Sequence, residues 1–587
     1  MIPAHFYPTT IRATHVTHTE TAKEIKMSRK KAFYLTSAAI LLTTLVVALL
    51  WRSSAENPSS KITARNLPIH NKLKGMARKA ASAKWFLEQR TYPFGFIPPD
   101  AEIRALEDMR NRMIPELQSQ GVSLTKSSTA QLNWEFVGPG NIGGRLRGLL
   151  VHPNNPNLLY VGSVSGGVWR STDGGVTWSP TMNDLITLNI SALAFKPGDP
   201  NTIYAGTGEG FLSDALPGRG LLKSTDGGAT WRRIGPASGL NTSFITELAV
   251  TPANPNLIFA SGREAVPQHL PNPTETTPDR GVSAIFRSTD SGETWQDVTS
   301  GKGIDPVPNF PFDNMPTDVV VSPTDANTVY AAFGVYYESG GMWKSTNGGQ
   351  SWTRLTNGLP NPAQQNQGYG RIELAMAPSI SNVLYASFTY LQKQGDNVNI
   401  KGEGMLGIWK TTDAGQNWTQ VTTPQSIAQR NIQSGLTTPL GQQGNYDNAI
   451  IVHPTDPNTV FVAGLDIYKT TDGGNTWAQV SFWIGQNPDN LPYVHADHHV
   501  FAFDRSTNPP TIYNGSDGGI ARTRDLGTSW EILNRDLGVT QFYYLDVHPT
   551  NPSIMLGGSQ DNGTPTSFDG NRNNWFDITT GDGACAF

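Results

Sequence analysis

Cysteine is almost absent from this sequence. Its 587 residues include one cysteine, Cys585, close to the C-terminal end. A single cysteine cannot form an intrachain disulfide, and it cannot supply the paired thiolates of a cysteine-ligated zinc site. Disulfide frameworks and cysteine-based zinc modules are therefore excluded.

The chain also lacks an excess of charge of either sign. It has 44 lysines and arginines against 48 aspartates and glutamates, which gives a formal net charge of −4. Proteins that bind nucleic acid usually carry a basic excess, so no nucleic acid partner is expected. Phosphate-binding and dinucleotide-binding glycine motifs are missing too, because the many Gly-Gly pairs fall in repeated turns. No cofactor is expected, apart from the divalent cation considered below.

One long hydrophobic run stands out near the N-terminus. Residues 32–51 carry no charge and are long enough to cross a bilayer as a helix. Arg52 follows the run closely, and four basic residues precede it: Lys26, Arg29, Lys30 and Lys31. This asymmetry predicts that residues 1–31 are cytoplasmic, that 32–51 form a transmembrane signal-anchor, and that the rest is extracytoplasmic. A cleaved signal peptide, with Ser53–Ala55 as its cleavage site, is the alternative and would make the protein secreted.

The stretch 52–130 differs from the rest of the chain. Residues 71–90 and 99–120 have helical composition and moderate amphipathic spacing. We interpret 52–130 as a helical stalk, or as an arm that packs on the following domain. A basic interaction tail is the alternative.

From residue 131 onward the sequence repeats itself. The eight residues STDGGVTW at 171–178 return as STDGGATW at 224–231, and five further copies follow. The tryptophans that end the copies are 53 to 66 residues apart: Trp178, Trp231, Trp295, Trp352, Trp418, Trp477 and Trp530. Self-similarity at such a period indicates a repeat architecture.

A second motif keeps step with the first. It is a turn rich in Pro, Asn and Asp followed by a short β-branched and aromatic run, as in HPNNPNLLYVG from His152. Each unit thus contains four short strands, and no helical pattern intervenes. The fold class predicted for 131–587 is all-β, a multi-bladed β-propeller of four-stranded antiparallel blades.

The sequence contains about eight such units. Residues 566–578 resemble a degenerate eighth copy, and 581–587 read like the opening of a ninth inner strand. We therefore expect a C-terminally incomplete propeller. The alternative is that the last residues complete an earlier blade.

The chemistry of the eight-residue motif, called the box below, suits a turn. Its aspartate can accept backbone hydrogen bonds, its glycine can adopt positive φ, and its tryptophan can pack between sheets. Copy four has asparagine, which keeps the side-chain oxygen but has no carboxylate for acid–base work. We therefore interpret these positions as structural: Asp173, Asp226, Asp290, Asn347, Asp413, Asp472 and Asp525.

The box resembles the Asp box, or BNR repeat, of sialidases, xyloglucan-degrading glycoside hydrolases and sortilin-type receptors. The resemblance covers about residues 134–587. The sequence is similar above all to bacterial surface or secreted proteins with sortilin-like repeats. It implies a propeller whose ligand face lies opposite the boxes. It leaves function open, because the family includes enzymes and binding proteins.

The face opposite the boxes carries the loops between second and third strands and the starts of the inner strands. Carboxylates, arginines and aromatic rings around such a funnel suit a glycan, although polar residues that only hold water are an alternative. The ligand-face candidates are Arg145, Glu209, Arg219, Arg371, Asp447, His495, Asp497, His498, Asp517, Tyr543 and Asp561.

The function predicted first is a surface-anchored or secreted propeller that binds a glycan or protein without chemistry. The alternative is a glycoside hydrolase-like enzyme, or a lyase, acting on extracellular polysaccharide. Residues 161–167 lack the carboxylate that xyloglucan hydrolases carry there, and no sialidase-type FRIP start is present. Asp517 precedes a Gly-Gly pair at the corresponding position of a later unit. A third, weaker hypothesis is an assembly factor for a membrane complex.

Residues 494–499, VHADHH, concentrate ionisable side chains. Strand alternation would place His495, Asp497 and His499 on one side. These residues are weak candidates for a divalent cation site, with Asp517 or Asp561 adding oxygen. A hydrogen-bonded ring in which Asp497 orients a histidine is the alternative.

Overall fold

The computed structural model describes residue 105 and residues 108–120, 135–182, 187–211, 218–242, 244–263, 282–300, 315–334, 340–361, 367–392, 404–422, 443–483 and 490–583. The chain divides into two compact units, Met1–Leu87 and Glu88–Phe587, and every described residue belongs to the second. None of the described helices is long and apolar enough to cross a membrane. The predicted cytoplasmic segment 1–31 and anchor 32–51 lie outside the described residues, so both stay predictions.

Within the predicted stalk the structure describes one short helical stretch. A π-helical turn at Met109–Met113 continues into α1, Ile114–Ser119, whose side chains are exposed or half-buried. The Arg112 guanidinium donates to both oxygens of Asp108, at 2.7 and 2.6 Å. The boundaries of the stalk stay a prediction.

The rest of the described chain is β-structure, and its strands form four-stranded antiparallel sheets in chain order. Blade 1 contains β1 (Leu146–Val151), β2 (Leu159–Ser163), β3 (Gly167–Ser171) and β4 (Ser179–Pro180). Blade 2 contains β5 (Ile190–Lys196), β6 (Asp199–Thr207), β7 (Leu221–Ser224) and β8 (Arg232–Ile234), followed by a short 3-10 turn at Pro236–Ser238. Blade 3 contains β9 (Phe244–Val250), β10 (Ile258–Arg263), β11 (Ala284–Ser288) and β12 (Gln296–Asp297).

Four more blades follow the same plan. Blade 4 contains β13 (Met315–Val321), β14 (Val329–Gly334), β15 (Gly341–Ser345) and β16 (Thr353–Leu355). Blade 5 contains β17 (Gln367–Met376), β18 (Leu384–Gln392), β19 (Met405–Thr411) and β20 (Thr419–Thr422). Blade 6 contains β21 (Ala449–Val452), β22 (Val460–Ala463), β23 (Ile467–Thr470) and β24 (Ala478–Gln479). Blade 7 contains β25 (His498–Asp504), β26 (Thr511–Ser516), β27 (Gly519–Thr523) and β28 (Glu531–Ile532).

These seven blades close into a ring. Each inner strand packs against the inner strand of the next blade, and β25 packs against β1. At this closing seam, Leu146 and Leu149 join Tyr513 and Ile520 in one buried cluster. The repeats predicted about eight blades in a C-terminally incomplete propeller. The described residues contain eight four-stranded sheets, and seven of them form the ring. The eighth unit has the blade sequence pattern but packs outside the ring.

The eighth unit is a separate sheet, called sheet 8. It contains β29 (Phe542–Val547), β30 (Met555–Ser559), β32 (Pro565–Ser567) and β33 (Trp575–Asp577). A two-stranded parallel pair joins β31 (Asn562–Gly563) to β34 (Gly581–Asp582). Residues 581–582 therefore pair with β31, in the connection between β30 and β32, instead of opening a ninth inner strand.

Sheet 8 is attached to the ring through the segment that leads into β1. The Asn141 side chain donates to Trp575 O at 2.9 Å and accepts from Trp575 N at 3.1 Å. The Trp575 indole N–H also donates to Val137 O at 3.2 Å. Most of β29 is exposed, unlike the inner strands of the ring.

Each box forms the same turn. In the first copy, Asp173 Oδ1 accepts from Thr177 N at 2.9 Å and Oδ2 accepts from the Thr177 hydroxyl at 2.6 Å. Gly174 and Gly175 adopt positive φ, 73° and 89°, where a side chain would be strained. Asn347 replaces the carboxylate with an amide and still accepts from Ser351 N at 2.9 Å.

Five of the seven boxes also accept a hydrogen bond from the preceding blade. The Tyr204 hydroxyl and the Lys223 ammonium of blade 2 both donate to Ser291 O in the box of blade 3, at 3.0 and 2.8 Å. At the closing seam, Arg522 of blade 7 donates to Gly174 O in the box of blade 1 at 2.6 Å. The boxes are therefore contacts between blades as well as turns.

Substitution of Asp226 tests the role of the box. Asp226→Ala removes three acceptor contacts, from Thr230 N, the Thr230 hydroxyl and the Ser224 hydroxyl. We expect the melting temperature to fall by about 1–2 °C, as for loss of a helix cap in a large domain. Asp226→Asn should recover most of it, because Asn347 serves in the fourth box. Equal melting temperatures for wild type and Asp226→Ala would show that the carboxylate is not structural.

The boxes should also make the protein acid-sensitive. Hydrogen bonds from Thr230, Asn417 and Thr476 lower the pKa of Asp226, Asp413 and Asp472 to about 2. Because the folded pKa lies below the unfolded value of about 3.9, this stability is present above pH 4 and is lost as the pH falls through 2.

Melting curves between pH 6 and pH 2 measure this dependence. The triple variant Asp226→Asn, Asp413→Asn, Asp472→Asn should show a shallower fall in melting temperature below pH 4 than wild type. An identical slope for the two proteins would mean that the box carboxylates do not contribute.

Candidate functional site

The candidate site lies at one mouth of the ring channel, on the face opposite the boxes. Arg145 directly precedes β1, Glu209 follows β6, and Asp517 lies between β26 and β27. Asp497 directly precedes β25, and Asp561 comes from the turn between β30 and β31 of sheet 8. We call Arg145, Asp497, Asp517 and Asp561 the mouth cluster.

Arg145 is the centre of the mouth cluster. Its Nε donates to Asp517 Oδ1 at 3.0 Å, its Nη1 to Glu209 at 3.1 Å and its Nη2 to Asp561 Oδ2 at 3.2 Å. Its side chain is 3% exposed. One buried guanidinium thus connects carboxylates from blade 2, blade 7 and sheet 8, which are distant in the sequence.

Asp517 is enclosed by donors. Besides Arg145, His499 Nε2 lies 2.7 Å from Asp517 Oδ1, and the Tyr446 hydroxyl donates to Oδ2. Burial and the Arg147 charge lower the pKa of His499 well below its usual range, so the ring is neutral and donates through Nε2–H. The Tyr446 ring also lies 4.8 Å from the Arg145 guanidinium carbon.

The carboxyl groups of the cluster have opposite pKa shifts. Burial alone would raise the pKa of Asp517, but the Arg145 charge and its hydrogen bonds hold it well below its usual range. Burial and the negative charge of Asp517 raise the pKa of Asp561 to about 8. The same two causes raise the pKa of Asp497 to about 8. Near neutral pH the cluster therefore contains an ionised carboxylate beside protonated carboxyls.

A further carboxyl, that of Asp447, lies beside Asp497 of the mouth cluster. The Gln443 amide bridges them, since its Nε2 donates to Asp497 Oδ1 at 2.6 Å and to Asp447 Oδ2 at 3.3 Å. Asp447 is fully buried, and burial and the charge of Asp497 raise its pKa well above its usual range. Two adjacent carboxyls in one site favour a shared proton.

A cavity beside His499 has a charged lining. Arg147 and Arg371 both donate to Tyr446 O, at 3.3 and 2.9 Å. The Phe211 ring lies 4.0 Å from the Arg371 guanidinium carbon. Glu247 also lines this cavity, and burial and the charge of Glu373 raise its pKa to about 7.

The metal candidates are placed differently from the sequence prediction. Oxygens of Asp497, Asp517 and Asp561 lie within 4.8 Å of one another. His499 contacts Asp517, but His495 contacts the backbone oxygens of Ala496 and Asp561 instead. The expected alternation is broken because Asp497 adopts positive φ, 64°, and β25 has a bulge between His498 and Val500. Arg145 already supplies positive charge there, so a cation site stays only a prediction.

The remaining candidates lie outside the cluster. His498 is buried with Nδ1 2.6 Å from Asn514 Oδ1, and Arg219 donates to Gly218 O at 3.3 Å. Tyr543 is 48% exposed on sheet 8. Sequence reasoning missed Gln443, which no motif marked, and Glu247, which alternation within β9 could have pointed to.

Comparisons with known proteins identify the repeat and several similar proteins. The family described as BNR/Asp-box repeat matches residues 169–180, which confirms the box. A xyloglucanase of Hypocrea jecorina is 28% identical over 440 residues, covering 69% of this chain and 46% of that protein. A xyloglucanase of Acetivibrio thermocellus is 26% identical over 411 residues, covering 65% and 43%.

Solved structures show a similar fold. The GH74 xyloglucanase from Xanthomonas campestris superimposes with a TM-score of 0.52 and 19% identity, covering 75% of this chain and 60% of that one. An ancestral GH74 enzyme gives 0.51 and 22%, covering 76% and 56%. This chain spans less than half the length of those two curated relatives. Of the protein classes that carry the Asp box, the comparisons therefore support a likeness to the xyloglucan-degrading enzymes. The likeness to sortilin-type proteins stays a prediction.

Proposed function

We propose that this protein is a glycoside hydrolase acting on an extracellular β-glucan of the xyloglucan type. We further propose that Asp561 is its proton donor. The observation that carries the proposal is the geometry of the mouth cluster, where buried Asp517 and the partly exposed Asp561 share the Arg145 guanidinium. This arrangement shifts their pKa values in opposite directions, so that Asp517 is ionised and Asp561 is protonated near neutral pH. Environments that separate the pKa values of neighbouring carboxyls are typical of acid–base sites.

Asp561 suits the role of acid by its position. Its side chain is 30% exposed, whereas that of Asp517 is 1% exposed. A glycosidic oxygen at the mouth could therefore reach Asp561 but not Asp517. After Asp561 gives up its proton, Arg145 Nη2, 3.2 Å from Asp561 Oδ2, stabilises the carboxylate.

Glycoside hydrolysis needs a second carboxyl group facing the same bond. Asp497, half-buried at the same mouth, is the candidate for this group. Because its pKa is raised to about 8, it acts as base or nucleophile only in the fraction of molecules in which it has lost its proton. Asp517 supports both groups electrostatically, since its negative charge raises the pKa of each. The xyloglucanase relatives support this class of substrate, and a polysaccharide outside the cell agrees with the predicted extracytoplasmic location.

Binding without cleavage is the second candidate function. The observation that favours it is the segment between β2 and β3 of blade 1, where residues 164–166 are Val, Ser and Gly and supply no carboxylate. A protein or membrane partner has no supporting contact among the described residues and stays a prediction.

The full-length protein should release reducing ends from xyloglucan, with activity falling above about pH 8 as Asp561 loses its proton. Asp561→Asn should lower kcat by about 10²-fold or more, because general acid catalysis contributes about 10² to 10⁴. Reducing-end assays on xyloglucan, cellulose and mixed-linkage glucan, across pH 4–10, measure both effects.

Asp472→Asn is the matched control, because this box carboxylate lies on the opposite face and should leave kcat within about twofold of wild type. Saturable binding of xyloglucan without any product would refute the proposed hydrolase activity and support binding without cleavage. Full activity of Asp561→Asn would remove Asp561 as the acid.

A further inference from the structure

The side chain of Asn562, in the turn that carries Asp561, contacts the backbone of the ring. Asn562 Nδ2 donates to Asp517 O of blade 7 at 2.9 Å, and also to Gln560 O of its own turn at 3.2 Å. Asn562 is 8% exposed. This amide therefore links sheet 8 to the strand connection that holds Asp517.

The hydrogen bonds of the Asp561 backbone are longer than the contact between Asn562 Nδ2 and Asp517 O. Asp561 N donates to Asp582 Oδ1 at 3.3 Å, and His495 Nε2 lies 3.3 Å from Asp561 O. Asp561 itself adopts positive φ, 59°, which non-glycine residues rarely take. A turn in this conformation keeps its geometry only when its surroundings fix it.

We propose that Asn562 is a positioning residue, which fastens the turn of sheet 8 to blade 7 and so holds the Asp561 carboxyl against Arg145 and Asp517. The proposal rests on the function proposed above. It adds that the proton donor, Asp561, comes from the eighth unit and not from the ring. The Asn562 contact holds this residue at the ring.

The physical consequence concerns the proton on Asp561. Burial and the nearby negative charge of Asp517 are what raise its pKa. Both depend on the distance of the turn from the ring. If the turn moves outward, water replaces the protein around the carboxyl and its pKa falls toward the ordinary value of about 3.9.

Asn562→Ala in the full-length protein tests this link without substrate. Isotope-edited infrared spectroscopy, with Asp561→Asn to assign the band, follows the protonated carboxyl during a pH titration. We expect the midpoint to fall from about 8 in wild type to about 6 or lower. A fall of two units leaves about a tenth of Asp561 protonated at pH 7.

Kinetics on xyloglucan give the second readout. Asn562→Ala should lower kcat at pH 7 by about tenfold, leave KM within about twofold, and move the alkaline limb of the pH profile to lower pH. The matched control is Asn574→Ala in the same sheet, where the exposed amide donates to Asp569 Oδ2 at 2.7 Å. This control should change neither the titration midpoint nor the alkaline limb.

The outcomes separate the two proposals. An unchanged Asp561 midpoint in Asn562→Ala overturns the positioning role, whether or not the protein cleaves xyloglucan. A lowered midpoint without turnover in wild type supports the link and refutes the hydrolase. If Asn562→Ala does not fold, Asn562→Ser, which keeps a short donor, must show an intermediate midpoint, and a wild-type midpoint in that variant overturns the proposal.

Discussion

The contact between the boxes and the preceding blades is the interaction on which the rest of this structure depends. In five of the seven boxes a backbone carbonyl accepts from a tyrosine or a basic side chain of the blade before it, as Ser291 O does from Tyr204 and Lys223. The side-chain hydrogen bonds of the box and its left-handed residues, such as Ser291 with φ 63°, fix where that carbonyl points. Arg522 and Gly174 make the equivalent contact between the last blade and the first. The repeated turn thus sets the angle between blades, and with it the closure of the ring.

A closed ring makes the mouth cluster possible. Four buried or half-buried carboxyls around one mouth would repel one another if all were ionised. Arg145 offsets part of this charge, and Asp497 and Asp561 reduce it further, because their pKa values are raised to about 8 and both retain protons near neutral pH. The same electrostatics that make the cluster tolerable also produce a carboxylic acid ready to donate its proton. Stability and the proposed chemistry therefore have one physical origin.

Much of the fold could be predicted from the sequence, because the box and the Pro/Asn turn recur with the period of a blade. Closure after seven blades could not, since the eighth unit has the same motifs and differs only in what it packs against. Arg145, Glu209, Asp497, Asp517 and Asp561 were expected on the ligand face, and the structure brings them together. Their pairing depends on contacts between residues hundreds of positions apart. The strict alternation expected for His495, Asp497 and His499 is interrupted by a bulge and by the left-handed conformation of Asp497.

The central claim is that sheet 8 brings Asp561 to Arg145 at the mouth of a closed ring. A double-mutant cycle on the free energy of unfolding tests it most directly, using wild type, Arg145→Gln, Asp561→Asn and the double variant in denaturant titrations at pH 7. Residues in one hydrogen-bonded network show coupling energies of about 0.5–3 kcal/mol, whereas distant residues are additive within about 0.5 kcal/mol. The structure predicts coupling of about 1 kcal/mol or more between these two positions. Additivity within about 0.5 kcal/mol would contradict it.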